Sequence, residues 1–389
     1  MPRLVHDRIT WLTYAQLGVW GFFLYGFGPV VPLLRDEQGT TAAVAGLHST
    51  AIAVGSLIGG FLFAPLAGRL GRGATSWLGL AGVAAGVAAL CALRPLPATL
   101  TAVVVIAGFG MLLLGGVNAT LSGHHGPAAP AAISEANAAC AGMGLLAPLV
   151  VGLAVGAGAG WRPALAAEVG LIALVAVAAA AFRVRLPRGG RIDAEPGHRP
   201  GPLPRAYWVA WLLMAVTGSI EVCLSLWAAL VLRTSAGMSA GAASAALAAI
   251  VGGMFLGRLV GGRIALRVPP IPLLLVALTI SLAGFAVFWS ASAPAPAVAG
   301  LLVLGIGNSL HYPLAVSIAL AAAGEQADRA AGYSSYSMAV GFGIAPVALG
   351  WVADGVGAHA AFLLLPGFIA AAVALVVLLR RERFAPLPV

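Results

Sequence analysis

Ala147-Pro148-Leu149-Val150-Val151-Gly152 recurs 198 residues later as Ala345-Pro346-Val347-Ala348-Leu349-Gly350. In a chain with 52 glycines one such match carries little weight, so the reading depends on other pairs at that spacing. Leu34-Arg35 with Gly39 maps onto Leu232-Arg233 with Gly237 at the same offset. Phe61-Leu62 with Gly68-Arg69 maps onto Phe255-Leu256 with Gly262-Arg263 at 194, a drift that loop insertions produce. The chain reads as a duplication.

Composition says where the duplicated halves live. Of 389 residues 61% are hydrophobic and 8% charged, with a mean hydropathy of +1.00. That leaves too little polar surface to coat a soluble globule. About 20 apolar residues span a bilayer core, and twelve such runs are expected at 10–34, 41–64, 74–93, 98–122, 135–159, 162–182, 206–232, 239–264, 270–290, 294–322, 330–353 and 358–379. The predicted fold is an all-α membrane protein of two pseudo-symmetric six-helix bundles, 1–182 and 206–389, joined by a polar linker at 183–205.

The net charge of +9 reports topology and contact with lipid, not nucleic acid. All 21 basic residues are arginine, and with a cytoplasmic N-terminus 17 of them fall inside, leaving Arg35, Arg94, Arg162 and Arg233 outside. Positive charge is retained on the cytoplasmic side, so both termini are expected there. The first apolar run is too long for a signal-peptide core and reads as a first transmembrane helix. Cys91, Cys140 and Cys223 fall in or beside spans without paired spacing and read as packing residues. With no lysine in the chain, no Gly-x-x-x-x-Gly-Lys nucleotide loop exists. No hydrolase triad or metal-ligand cluster is evident, so neither an enzyme nor a cofactor is expected.

Twelve spans in two sixes, a basic central loop and a repeated signature after spans 2 and 8 resemble the major facilitator superfamily of transporters. The family's loop signature is Gly, three residues, Asp-Arg, one residue, Gly-Arg; here it reads Ala64-Pro65-Leu66-Ala67-Gly68-Arg69-Leu70-Gly71-Arg72. Arg69, Gly71 and Arg72 match, while Gly68 stands for the aspartate and Ala64 for the first glycine. The second copy, Gly257-Arg258-Leu259-Val260-Gly261-Gly262-Arg263, is looser. The resemblance implies gating or topology roles for Arg69, Arg72, Arg258 and Arg263, with one gate ion pair lost. Ala147 and Pro148 followed by Val150-Val151-Gly152 fit the drug-antiporter pattern poorly. Gly218-Ser219-Ile220-Glu221 with Trp227, and Glu135-Ala136-Asn137, resemble a sugar-permease-like branch found in high-GC bacteria.

An isolated carboxylate inside a span is costly, and is either neutralised or turned to water or a partner. Glu221, mid-span 7, is the expected proton-coupling residue. Asn308 and His311 share a helical face in span 10; His311 either relays a proton or serves as an interhelical donor. Asn118 in span 4 follows Gly115-Gly116-Val117 as Asn308 follows Gly305-Ile306-Gly307. With Asn137, Ser225, Trp227, Tyr25 and Tyr336 these are candidate substrate contacts, Trp227 and the tyrosines as aromatic walls or interface anchors. Glu135 reads as a helix-capping acid, Glu168 and Asp354 as hydrated near span ends, and His124-His125 as loop residues. Pro148 and Pro346 should kink equivalent helices of the two halves.

The expected function is secondary-active transport of a small polar or sugar-like solute, coupled to protons, by a monomer in the bacterial inner membrane. The alternative is proton-driven efflux of an apolar compound. A channel or lipid translocator would need a repeated charged or carbonyl ring, and none is present in the sequence. Phe23 stands at the first-half position equivalent to Glu221, so the chemistry is expected mainly in the second half.

Overall fold

The structure, a computed structural model, describes residues 4–186, 202–265, 267–323 and 327–384. In chain order the helices are α1 (Arg8–Gln38), α2 (Ala42–Leu70), α3 (Arg72–Ala92), α4 (Leu96–His125), α5 (Ala129–Gly156), α6 (Trp161–Ala181), α7 (Arg205–Ser235), α8 (Ala240–Ala246), α9 (Ala248–Ala265), α10 (Pro270–Ser290), α11 (Pro294–Asn308), α12 (His311–Ala323), α13 (Ala327–Val356), α14 (Ala358–Ala361) and α15 (Leu364–Phe384). Among the described residues twelve segments are long and apolar enough to cross a membrane; α8 with α9, α11 with α12, and α14 with α15 each make one of them.

Prolines set the two sharpest interruptions. A proline supplies no N–H to the carbonyl four residues back and crowds it. Pro313 does this to Ser309, and helix gives way at Ser309 and Leu310; Pro366 does it to Phe362, and helix gives way at Phe362 and Leu363. Pro148 and Pro346 instead lie inside the continuous helices α5 and α13. The repeat is visible in the caps: Gly39 closes α1 at φ 61°, and Gly237 follows α7 at φ 64°. Both need the left-handed region that glycine enters without a side-chain clash.

The chain divides into two compact units, each described by itself. The first takes Met1–Gly39, Thr50–Pro196 and Ala240–Ala248. Its centre is α1, where Phe23 and Phe27 are 1% exposed and stack at 5.2 Å. At one end Glu37 bonds Arg162 through both guanidinium nitrogens, one of them at 2.6 Å, and accepts the Trp161 indole N–H at 3.3 Å. At the other, Asp7 caps α1 through the Thr10 amide at 2.9 Å. His124 lies 2.7 Å from the free Asp7 oxygen, and His125 Nε2 lies 2.9 Å from the Thr10 hydroxyl. These histidines thus close the last turn of α4 and are not loop residues. Glu135 is not a cap either: α5 begins at Ala129, and Glu135 accepts the Tyr14 hydroxyl at 3.0 Å and lies 2.6 Å from His6.

The second unit takes Thr40–Ser49, Gly197–Ser239 and Ala249–Val389. Its centre is α7, with Tyr207 and Trp227 wholly buried. The Tyr207 hydroxyl donates to the Ala330 carbonyl at 2.8 Å and the Trp211 indole to that of Tyr333 at 2.9 Å, pinning α7 to α13. Asp354 is exposed near a span end, and its two oxygens accept the Ala42 and Ala43 amides at 2.7 and 2.9 Å, capping α2. Such a cap satisfies donors that the first helical turn leaves orphaned.

The recurring Ala-Pro-x-x-x-Gly stretch has the same packing role in both units. A Cβ on Gly350 would stand 2.5 Å from the Ala42 carbonyl oxygen, and one on Gly152 would stand 2.6 Å from that of Gly241. In each unit the motif's glycine admits the opening turns of another helix to backbone contact, as small residues do between packed membrane helices.

Candidate functional site

Glu221 lies at mid-length of α7, between the buried Ile220 and Val222, and is itself half-buried. The hydroxyls on this stretch bond back to their own helix, Thr217 to the Met214 carbonyl at 3.0 Å and Ser219 to Ala215 at 2.9 Å. They are therefore committed locally. No hydrogen bond or ion pair holds the Glu221 carboxylate among the described residues; Arg258 of α9 and Tyr312 of α12 belong only to its wider electrostatic neighbourhood.

Close helix packing sets that neighbourhood. A Cβ on Gly257 would run into the Ser309 hydroxyl and the Ile306 carbonyl, so α9 lies directly on the Pro313 interruption. Arg258 is the next residue on α9, and Tyr312 is the residue before the proline. Glu221 thus lies in the same neighbourhood as a broken helix, where a mid-span carboxylate is either neutralised by a proton or turned to water or a partner.

The other predicted residues take varied places. His311 is 1% exposed and turns toward α10, its Nε2 3.1 Å from the Ser281 hydroxyl. Asn308 is 2% exposed, with its amide 3.9 Å from the Met254 sulfur and its Oδ1 without a partner among the described residues. Trp227 donates its indole N–H to the Pro346 carbonyl at 3.1 Å, and at 0% exposure it packs the core of its unit. Ser225, half-buried, stands one turn from Glu221 on the same face.

In the first unit Asn118 is half-buried, and its Oδ1 lacks a partner among the described residues. Asn137 is exposed and donates to the Ile133 carbonyl of its own helix at 2.8 Å. The Tyr25 ring covers Gly144 of α5. Arg69 is exposed, whereas Arg72 donates to the Ala119 carbonyl at 3.2 Å and ties α3 to α4. In the second unit Arg258 and Tyr336 are exposed, Tyr336 lying 6.1 Å from the Tyr333 ring. The Arg263 side chain lies outside the described residues. Glu168, expected in water, is 0% exposed, and neither of its oxygens has a hydrogen-bond partner among the described residues.

The sequence reading did not place Tyr312 among the site residues, and gave Arg258 a gating or topology role. The available signal was Pro313, which marks a mid-span break and so the residues around it.

Twelve helices long and apolar enough to cross a membrane, among the described residues, mark a polytopic membrane protein. The chain belongs to the Major Facilitator Superfamily, whose model matches residues 16–327 and 225–388. It is therefore a transporter and not an enzyme. Among solved structures it is similar to a bacterial homolog of the human lysosomal transporter Spinster, at 15% identity over 97% of each chain and a TM-score of 0.79. It is similar to the nucleoside transporter NupG, at 13% identity over 97% of this chain and 98% of that one, with a TM-score of 0.74. A variant of the E. coli fucose:proton symporter FucP matches at 19% identity, 95% and 98% coverage and a TM-score of 0.62. At these identities the likeness is one of fold. No curated protein matches by sequence.

Proposed function

We propose that the chain is a proton-coupled carrier of a small polar or sugar-like solute, with Glu221 as the proton-accepting group. The observation that carries this reading is a half-buried carboxylate at mid-length of a membrane-spanning helix, beside the proline-broken α11–α12 segment. A carboxylate there is stable in two ways: protonated, or charged and turned to water or a partner. Alternation between the two links proton movement to solute movement. Ser225 and Asn308, both in the second unit, are the proposed polar contacts for solute. The fucose:proton symporter and the nucleoside transporter among the similar folds support a polar cargo. The arginine asymmetry supports a bacterial cytoplasmic membrane with both termini inside.

The test is uptake into proteoliposomes of a panel of labelled sugars and polyols, with and without an imposed pH gradient. Glu221→Gln should abolish accumulation driven by the gradient and leave solute exchange at equilibrium intact. Full gradient-driven accumulation by that variant would remove Glu221 from the coupling role.

A further inference from the structure

The end of α6 carries a non-glycine residue in the left-handed region: Arg183, at φ 52°. Its amide bonds the Ala180 carbonyl at 3.1 Å and the Val184 amide bonds that of Ala179 at 2.9 Å, so the chain turns back sharply. The turned segment is packed against α3, because a Cβ on Gly73 would stand 2.5 Å from the Leu186 Cβ.

This turn closes one side of a cavity of about 540 Å³ in the first unit, lined among others by Trp77, Ala176, Ala179, Ala180, Arg183 and Arg185. The alanines fall on one face of α6 and leave a shallow apolar floor beside the indole. Arg183 and Arg185, both exposed, complete the lining, and Arg8 reaches the same helix end through a 3.4 Å bond to the Phe182 carbonyl. None of the three forms an ion pair among the described residues.

We infer that this cavity is a binding site for an anionic phospholipid. The apolar run of α6 ends at Phe182 and the arginines begin one residue later, so floor and arginines straddle the boundary between hydrocarbon and headgroup. A lipid phosphate fits the guanidinium groups as a charge-assisted, multiply bonded acceptor, and its glycerol and first methylenes fit the alanine and tryptophan floor. A small soluble anion would use the arginines and leave the floor empty. Basic pockets at helix ends on the cytoplasmic side are suited to anionic headgroups. The inference is independent of proton coupling and of Glu221.

The experiment is a titration of phosphatidylglycerol into purified protein in phosphatidylcholine nanodiscs, read as thermal unfolding and by native mass spectrometry. A saturable rise in the midpoint is expected, with retained lipid. Arg185→Gln should weaken apparent binding about 5-fold, and R183G/R185Q about 30-fold, on the basis of about a 5-fold contribution per basic residue. Glycine keeps the left-handed turn at 183, so this pair is chosen to preserve the fold, and an unchanged midpoint in pure phosphatidylcholine checks it. Arg94→Gln, at the opposite end of α3, should bind like the parent. The inference is overturned if phosphatidylglycerol gives no saturable shift, if Arg185→Gln and the double variant both bind as the parent does, or if inorganic phosphate reproduces the lipid's effect.

Discussion

The Ser49 hydroxyl donates at 2.6 Å to the carbonyl of Phe342, the residue four before Pro346. Proline has no N–H to offer that carbonyl, and Ser49 of α2 supplies the missing donor inside the second unit. Ser49→Ala would leave the acceptor orphaned in a buried setting. The expected cost is about 1–3 kcal/mol, read as a lower unfolding midpoint in detergent. Because Thr keeps the hydroxyl, Ser49→Thr should recover part of the loss.

The motif glycines give a second test. Gly350→Ala and Gly152→Ala would each drive a methyl group into a backbone carbonyl that cannot swing aside. Each should destabilise by about 1–3 kcal/mol. At Gly60, where nothing lies within 4 Å, alanine should instead stabilise the helix by roughly 0.5–1 kcal/mol. Thermal unfolding of the three single variants decides it, and equal effects at all three sites would contradict the packing described.

Glu168 invites a substitution in the other direction. A wholly buried carboxyl without a hydrogen-bond partner among the described residues is a cost to the fold. Glu168→Met, close in volume and apolar, is expected to raise stability by about 1–3 kcal/mol, with Glu168→Gln lying between. A drop in midpoint for the methionine variant would show that the acid is stabilised by a bond absent from this structure.

Asp7 should make stability depend on pH. Burial raises its pKa, but the hydrogen bonds from the Thr10 amide and hydroxyl and from His124 outweigh it, so the pKa is lowered from the ordinary 3.8. A lowered carboxyl pKa stabilises the folded state above the unfolded value, and the stabilisation fades as pH falls through the folded value. Asp7→Ala should therefore cost about 1 kcal/mol at neutral pH. The gap between parent and variant should persist above the ordinary carboxyl value of 3.8 and narrow as pH falls below it, as measured by unfolding at each pH.

The spans were legible because each is a long apolar run with little competing pattern, and the duplication because Gly39 and Gly237 must both take φ above +60°. Residue partners were less legible, for a physical reason. Whether Glu168 is wet depends on the direction it faces from α6, and apolar residues surround it in sequence on all sides, so no period marks the inner face. Asp354 sits near a helix end as expected, yet the amides it caps are 311 and 312 positions away in the chain. Trp227 has the same local sequence whether it lines a wall or fills a core. Only the Pro346 carbonyl beside it tells the two apart.

Unit 1 contains Ala240–Ala248, and its Gly152 is covered by the backbone of Gly241. Those residues leave the ribosome after the entire first half has been made. The first unit therefore cannot finish packing during its own synthesis, and the bare face around Gly152 waits, inside the bilayer, for more than 80 further residues to arrive. Unit 2 has the opposite schedule: its segment Thr40–Ser49 is made early and is held until Gly350 and Asp354 emerge. The two halves are thus bound to mature together, and a gene fragment encoding either one alone should yield a chain lacking one of its own packing surfaces.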